Sequence, residues 1–233
     1  MDAQASTARC DPAEDGLTDL PLVNHGGWDF FLARGNKPLG LVLIHEIFGY
    51  SEDIETAAKN LAAAGFTTAA IDLYRGKRAS TLEEGSKLRG EVTKEALDDG
   101  ISKGLELVRK DAAIRKVGTM GFCMGGGFAL QSACDLGLGF CVDYYGLILD
   151  EEDTSKLVGP VLVILASEDA RVTPWAFQKF LPAAMKHKKR VEVQLYPNAR
   201  HAFHRPDWDG HNPEAAKDAW EKTVRFLSKL AEG

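Results

Sequence analysis

Short, continuous apolar runs alternate along this chain with segments of helical periodicity. The run LVLI at residues 41–44 is typical of a strand that is buried on both faces. The segment that follows, 52–64, has apolar residues at helical spacing, and Ser51 precedes it as a candidate helix cap. This alternation predicts an α/β fold, in which a mostly parallel sheet carries helices on both faces as a three-layer sandwich.

The same alternation continues to the end of the chain. Because the strands of such a sheet run parallel, reactive side chains are expected where the strands reach their carboxyl ends. Further strands are predicted at 67–71, 117–122, 141–145, 161–166 and 191–196, and further helices at about 81–109, directly after Cys123, around Pro174 and from Asn212-Pro213 onward.

The chain has 233 residues, of which 45% are hydrophobic, so it can form one large domain. Residues 1–20 are acidic and rich in turn formers, which predicts an N-terminal leader before a single domain at 21–233. A net charge of −6 argues against nucleic acid and anionic membranes as partners. Because no signal peptide is visible, we expect a cytoplasmic protein with free thiols. Its cysteines are Cys10, Cys123, Cys134 and Cys141.

One motif, Gly121-Phe122-Cys123-Met124-Gly125, follows a predicted strand and opens a predicted helix. It is the nucleophile-elbow pattern, with Cys in the place of Ser. Small residues are needed two positions before and two positions after the nucleophile, because larger side chains would collide at so sharp a turn. The amino end of a helix also favours a thiolate and a developing oxyanion. Cys123 is therefore the predicted nucleophile, the alternative being a small buried residue beside a tight turn.

An acid and a histidine should follow such a nucleophile in chain order. Asp169 follows one predicted strand, with Glu168 and Asp143 as alternative acids. His201 follows the last predicted strand, and His204 in the same loop is the alternative base. A loop residue of either type is usually unremarkable, but here both follow strands in the expected order. This order predicts a Cys-His-Asp triad.

The predicted triad is suited to acyl transfer. The thiolate of Cys123 would attack a carbonyl carbon, His201 would hold and return the proton, and Asp169 would orient the imidazole. The oxyanion would be bound by the backbone N–H of Met124 and by one from the loop after the first long strand, for which Ile47 is the candidate.

Several further motifs stand in the same order along the chain: His45-Glu46-Ile47-Phe48-Gly49, Asp72-Leu73-Tyr74, Gly121-Phe122-Cys123-Met124-Gly125-Gly126, Asp143-Tyr144-Tyr145-Gly146 and His201-Ala202-Phe203. With them the sequence resembles the dienelactone hydrolase family (carboxymethylenebutenolidase-like) from about residue 41 to the last helix. The resemblance implies the α/β-hydrolase fold and a cofactor-free, monomeric cysteine hydrolase. Its implied substrate is a small ester or lactone.

The resemblance also implies roles for residues that spacing alone does not identify. Glu46 would help to deprotonate the cysteine when substrate binds. Arg205 would bind a substrate carboxylate, for which a bidentate guanidinium is well suited, and Tyr145 would also contact the substrate. The position of a second arginine is open. An alignment without a gap places Glu91 there, a short gap brings in Arg89, and Arg75 and Arg78 are nearby.

Other functions are less consistent with the sequence. A thiol carboxylesterase or thioesterase acting on another small ester is the main alternative. A non-catalytic relative used for binding is disfavoured by the complete triad, although fold alone does not establish function. A metal site is not expected, since the six histidines are scattered and no HExxH motif is present. The glycines 125–127 lack the Lys-Ser/Thr of a phosphate loop, so we interpret them as clearance at the elbow.

Overall fold

In the computed structural model, residues 22–147 and 151–233 are described, and they build an eight-stranded sheet with helices on both faces. The predicted leader at 1–20 and Cys10 lie outside the described residues. The strands are β1 Val23–His25, β2 Trp28–Ala33, β3 Leu39–Ile44, β4 Thr67–Ile71, β5 Lys116–Phe122, β6 Cys141–Tyr144, β7 Val161–Ala166 and β8 Val191–Tyr196.

The helices lie between these strands, as the alternation predicts. They are α1 Glu52–Ala63, α2 Leu82–Glu91, α3 Lys94–Arg109, α4 Met124–Asp135, α5 Glu151–Ser155, α6 Val172–Trp175, α7 Leu181–Lys186 and α8 Pro213–Glu232, with a π-helical turn at Ala176–Phe180 between α6 and α7. In the described part of the chain, no helix is both long and apolar enough to cross a bilayer.

The sheet has the strand order β1-β2-β4-β3-β5-β6-β7-β8. Strands β3 to β8 run parallel, and only β1 and β2 are antiparallel to their neighbours. Strands β3, β4 and β7 are buried along their whole length, which explains the continuous apolar runs at 41–44 and 161–166 and the lack of charged residues in β4. The predicted α/β class and mostly parallel sheet are confirmed.

Two apolar cores separate the sheet from its helices. Helices α1 and α8 pack on one face over residues such as Phe31, Leu41 and Phe203. Helices α3 and α4 pack on the other face, over residues such as Val42 and Val163. Helices α1, α3 and α8 each present an apolar stripe to the sheet, so the three-layer arrangement follows from helical periodicity.

Several predicted boundaries differ from those of the structure. The helical stretch predicted at 81–109 is two helices, because Val92 is extended and the Thr93 side chain caps a new helix by accepting from the Ala96 N–H. The strand predicted at 141–145 ends at Tyr144, because Tyr145 has a φ of 42°. Strands β1 and β2 were not predicted, and β3 begins at Leu39, two residues earlier than expected.

Candidate active site

The nucleophile turn lies between β5 and α4. Cys123 connects them with φ 54° and ψ −117°, a strained conformation for a residue with a side chain. The turn is possible because its flanking residues are glycines. A Cβ on Gly121 would lie 2.1 Å from the Gly125 carbonyl oxygen, and a Cβ on Gly125 would lie 2.3 Å from that of Ile44. The fold therefore holds the Cys123 side chain at the carboxyl end of a central strand.

A chain of short contacts connects Cys123 to an acid. The Sγ atom of Cys123 lies 3.1 Å from Nε2 of His201, and Nδ1 of His201 lies 2.5 Å from Oδ2 of Asp169. The other carboxylate oxygen of Asp169 accepts hydrogen bonds from the N–H groups of Arg171 and Val172, both at 2.9 Å. Asp169 is thus fixed by the backbone that begins α6, and it in turn fixes the imidazole.

These contacts shift the pKa values of both partners. Burial alone would raise the pKa of Asp169, but hydrogen bonds from His201, Val172 and Arg171 outweigh it and lower the pKa. Burial alone would lower the pKa of His201, yet its hydrogen bonds to Asp169 and Cys123 and their charges raise the pKa to about 10. The site therefore favours a protonated imidazole beside the sulfur atom.

The alternative acids and base lie outside this chain of contacts. Glu168 is exposed, and its backbone N–H donates to the Ala199 carbonyl. Asp143 is fully buried in β6 and accepts from the Gly146 N–H at 2.8 Å. His204 packs its ring against Phe122, with 5.2 Å between ring centroids. Of the candidate residues, the structure brings Cys123, His201 and Asp169 into contact.

Tyr74, to which sequence reasoning assigned no role, connects the two residues that are predicted to supply the oxyanion donors. Met124 is the first residue of α4, where a backbone N–H has no acceptor within the helix. The Tyr74 hydroxyl lies 3.2 Å from the carbonyl oxygen of Ile47 and 3.1 Å from Sδ of Met124. Tyr74 is therefore placed to hold the two backbone segments at a fixed separation. The Asp72-Leu73-Tyr74 motif marks this tyrosine in the sequence, but the motif alone does not indicate what the tyrosine does.

Glu46 is paired with Arg205. The Nη1 atom of Arg205 donates to Oε2 of Glu46 at 3.3 Å, and among the described residues no hydrogen bond joins Glu46 to Cys123. Burial raises the pKa of Glu46, against the charges of Arg205 and His201, which lower it. Arg205 also donates to Asp207 in a bidentate pair, with N–O distances of 2.5 and 2.7 Å. Asp207, which sequence reasoning missed, therefore offsets the cation predicted to bind a substrate carboxylate.

The four candidates for a second arginine position are dispersed. Arg89 lies over the Phe128 ring at 5.5 Å, Arg75 lies over the Trp28 ring at 4.2 Å, and Glu91 is paired with Lys77. Arg78 lines the same cavity as Arg205. The role predicted for Arg89 in substrate binding stays a prediction.

Tyr145 lies beside the imidazole. Its ring centroid is 5.2 Å from that of His201, and its hydroxyl is buried without a hydrogen-bond partner among the described residues.

Within the described ranges, no three His, Cys, Asp or Glu side chains converge as metal ligands. Cys134 and Cys141 are buried free thiols on the far side of the sheet from Tyr145.

The sheet order, the helices on both faces and the sharp turn after β5 define the α/β-hydrolase class. A model of the dienelactone hydrolase family matches residues 29–231, so the chain belongs to that family. It is accordingly a hydrolase that acts on small esters or lactones.

Individual relatives agree with this assignment. A protein of Saccharolobus solfataricus, provisionally named carboxymethylenebutenolidase, is 30% identical over 86% of this chain and 93% of its own. A Bradyrhizobium protein, provisionally named 2-oxo-3-(5-oxofuran-2-ylidene)propanoate lactonase, is 29% identical over 84% of this chain and 87% of its own. The crystal structure of dienelactone hydrolase from Anabaena variabilis shares the fold, with a TM-score of 0.65 at 22% identity, covering 89% of this chain and 95% of that one.

Proposed function

We propose that this protein hydrolyses its ester or lactone through a Cys123–His201–Asp169 triad, in the manner of a dienelactone hydrolase. The observation that carries the proposal is the pair of contacts at His201, 3.1 Å to Sγ of Cys123 and 2.5 Å to Oδ2 of Asp169. A nucleophile, a base and an orienting acid in such contact are the parts that acyl transfer requires.

The reaction proceeds in two halves. His201 takes the thiol proton, and the sulfur of Cys123 attacks the carbonyl carbon, while the backbone N–H groups of Met124 and Ile47 bind the oxyanion. Collapse of the tetrahedral intermediate breaks the ester bond, and His201 protonates the leaving oxygen. Water then attacks the thioester with His201 as base, which releases the acid and regenerates the thiol.

Glu46 assists this chemistry as a second base. Burial raises the pKa of Glu46, which makes its carboxylate a stronger base. In the resting arrangement its partner is Arg205. A substrate carboxylate that binds Arg205 would draw the cation away from Glu46 and leave that carboxylate free to accept the thiol proton in place of His201. It would have to compete with Asp207 for the same guanidinium.

The test is the initial rate of hydrolysis of a dienelactone and of a neutral aryl acetate. Cys123→Ala should lower both rates by about 10³-fold or more, since a nucleophile acts together with its base. Cys134→Ala, which removes a buried thiol from α4, is the matched control and should retain the native rates. Native rates in Cys123→Ala would refute the proposal.

The neutral ester separates the two candidate functions. Hydrolysis of the aryl acetate without hydrolysis of the dienelactone would favour the alternative, a thiol carboxylesterase acting on another small ester. The observation that favours this alternative is the ion pair of Arg205 with Asp207, which opposes recognition of an anionic substrate.

A further inference from the structure

A cavity of about 610 Å³ lies between helices α1 and α8, next to the triad. This volume is within the range of pockets that hold small organic ligands, about 300–1,000 Å³. Neither Cys123 nor His201 is among the residues that line it. A small lactone attacked at the sulfur and held by Arg205 would therefore reach only the border of the cavity. Its apolar walls are formed by Phe48, Ile54, Ala57, Phe122, Ala216 and Trp220.

His204 supplies a polar group within these walls. Its ring centroid is 5.2 Å from that of Phe122 and 5.8 Å from that of Trp220. In the described ranges, neither ring nitrogen makes a hydrogen bond to another residue. Burial and the nearby His211 lower the pKa of His204 to about 4, so the imidazole is neutral and offers one donor and one acceptor.

The cavity adjoins the reacting groups through residues common to both. Phe122 directly precedes Cys123, and Glu46, which lines the cavity, interacts electrostatically with His201. Glu46 and Arg205 are paired at this border. A substrate held at the sulfur can therefore extend past this pair into the cavity.

The charges around the cavity are balanced. Three acidic and three basic side chains line it, and Arg205 is further neutralised by Asp207. The charged residues are Glu46, Asp53, Glu221, Arg78, Arg205 and Lys217.

Aromatic walls favour an aromatic group, because rings pack against rings in offset or edge-to-face contacts.

We propose that this cavity binds an uncharged aromatic group of the substrate, and that His204 hydrogen-bonds to a polar atom carried by that group. The inference rests on the proposed function and specifies its substrate class: neutral aryl-bearing esters or lactones, larger than a simple dienelactone. His204 is then a specificity-determining residue, whereas His201 is the base.

Binding can be tested without turnover. The Cys123→Ala protein is titrated calorimetrically with 2-naphthol, an uncharged aromatic probe with one hydroxyl group. Replacing His204 by Phe in that protein keeps a ring but removes both nitrogens, and it should weaken binding about 5-fold, the effect of one ordinary hydrogen bond. His204→Gln, which retains a donor and an acceptor, should bind more tightly than His204→Phe. His187→Phe is the control for an added phenyl ring and should bind as the parent does.

A second variant tests whether the probe binds inside the cavity. Ala216→Phe places a ring inside the cavity and should abolish 2-naphthol binding, with the fold checked by circular dichroism. Full binding in this variant, or equal binding in His204→Phe and the parent, would overturn the proposal.

Turnover of 2-naphthyl acetate relative to methyl acetate separates this inference from the proposed function. His204→Phe should lower the ratio of their kcat/KM values through a raised KM for the naphthyl ester, while His187→Phe leaves the ratio unchanged. Triad-dependent hydrolysis with no 2-naphthol binding would refute the cavity's role and leave the proposed function standing. Binding with no ester hydrolysis would refute the proposed function, and with it the assignment of the aromatic group to a substrate.

Discussion

Replacing Asp143 by Asn should change how the stability of the fold depends on pH. Asp143 is fully buried in β6; one carboxyl oxygen accepts from the Gly146 N–H at 2.8 Å, and the other has no partner among the described residues. Burial raises the pKa of Asp143 from its ordinary 3.8 to about 7, although the hydrogen bond from Gly146 and the charge of His201 oppose the increase. An ionised carboxylate is therefore unfavourable at this position.

The sign and magnitude follow from proton linkage. Below about pH 4 both the folded and unfolded chains carry the proton, and the fold loses nothing. As the pH rises towards 7, the unfolded chain ionises while the folded chain does not, so the fold loses stability. The full loss is about 4 kcal/mol, because each tenfold change in the acid constant is worth about 1.4 kcal/mol. Asn does not titrate and avoids this loss, although its unpaired amide costs about 1–3 kcal/mol at every pH.

Urea unfolding followed by tryptophan fluorescence measures the effect. Between about pH 4.5 and pH 8.5, the stability of Asp143→Asn relative to the native protein should increase by about 3 kcal/mol. In the folded protein His201 stays protonated across this window, because its pKa is raised to about 10, and its titration in the unfolded chain is common to both proteins and cancels. Asp209→Asn, at a side chain that is 83% exposed, is the control and should show almost no trend. A stability difference for Asp143→Asn that is independent of pH would refute the reasoning.

Three further substitutions test the site and its support. Glu46→Gln should lower kcat by about 10- to 100-fold with the fold intact if the carboxylate takes a proton, and an unchanged rate removes it from the mechanism. Arg205→Ala should raise KM for anionic esters and spare neutral ones, with the exposed Arg200→Ala as control; equal loss on both ester types argues against charge recognition. Gly121→Ala should cost more than about 3 kcal/mol in urea unfolding, because its Cβ would lie 2.1 Å from a backbone oxygen. Gly90→Ala, whose Cβ meets nothing within 4 Å, should be neutral or stabilising, and similar results for the two glycines would contradict the packing argument.

The layered fold could be predicted because its cause is local. Strands buried on both faces have continuous apolar sequences, and the helices between them have apolar residues at helical spacing. The nearness of Asp169 to His201 was also predictable, because β7 and β8 are parallel neighbours whose following loops meet at one edge.

Two local signals in the sequence indicate elements that apolar periodicity alone does not predict. Gly26 and Gly27, with φ of 64° and 84°, form the two-residue turn between β1 and β2, and a Gly-Gly pair between short strands is a hairpin signal. Strand β1 is largely exposed, so its apolar pattern was weak. Thr93 is a recognisable helix cap inside the stretch 81–109, which periodicity alone predicts as one helix.

The remaining features depend on contacts between distant segments. Arg205 and Glu46 are 159 positions apart in the chain, and no sequence pattern distinguishes their pairing from the competing contact with Asp207. The choice between His201 and His204 also required the structure, since both lie in one loop. Only the folded loop shows one ring against the sulfur of Cys123 and the other against Phe122. The predictions of a monomer and a cytoplasmic location stay predictions.

The most direct test of the central claim is to trap the acyl-enzyme. The native protein is mixed with a p-nitrophenyl ester, the reaction is quenched in acid during turnover, and the acylated peptide is identified by mass spectrometry. A thioester on Cys123, absent from the Cys123→Ala protein together with the hydrolysis itself, is the result that the proposed mechanism predicts. An acyl group on a different residue, or hydrolysis at the native rate without Cys123, would contradict it.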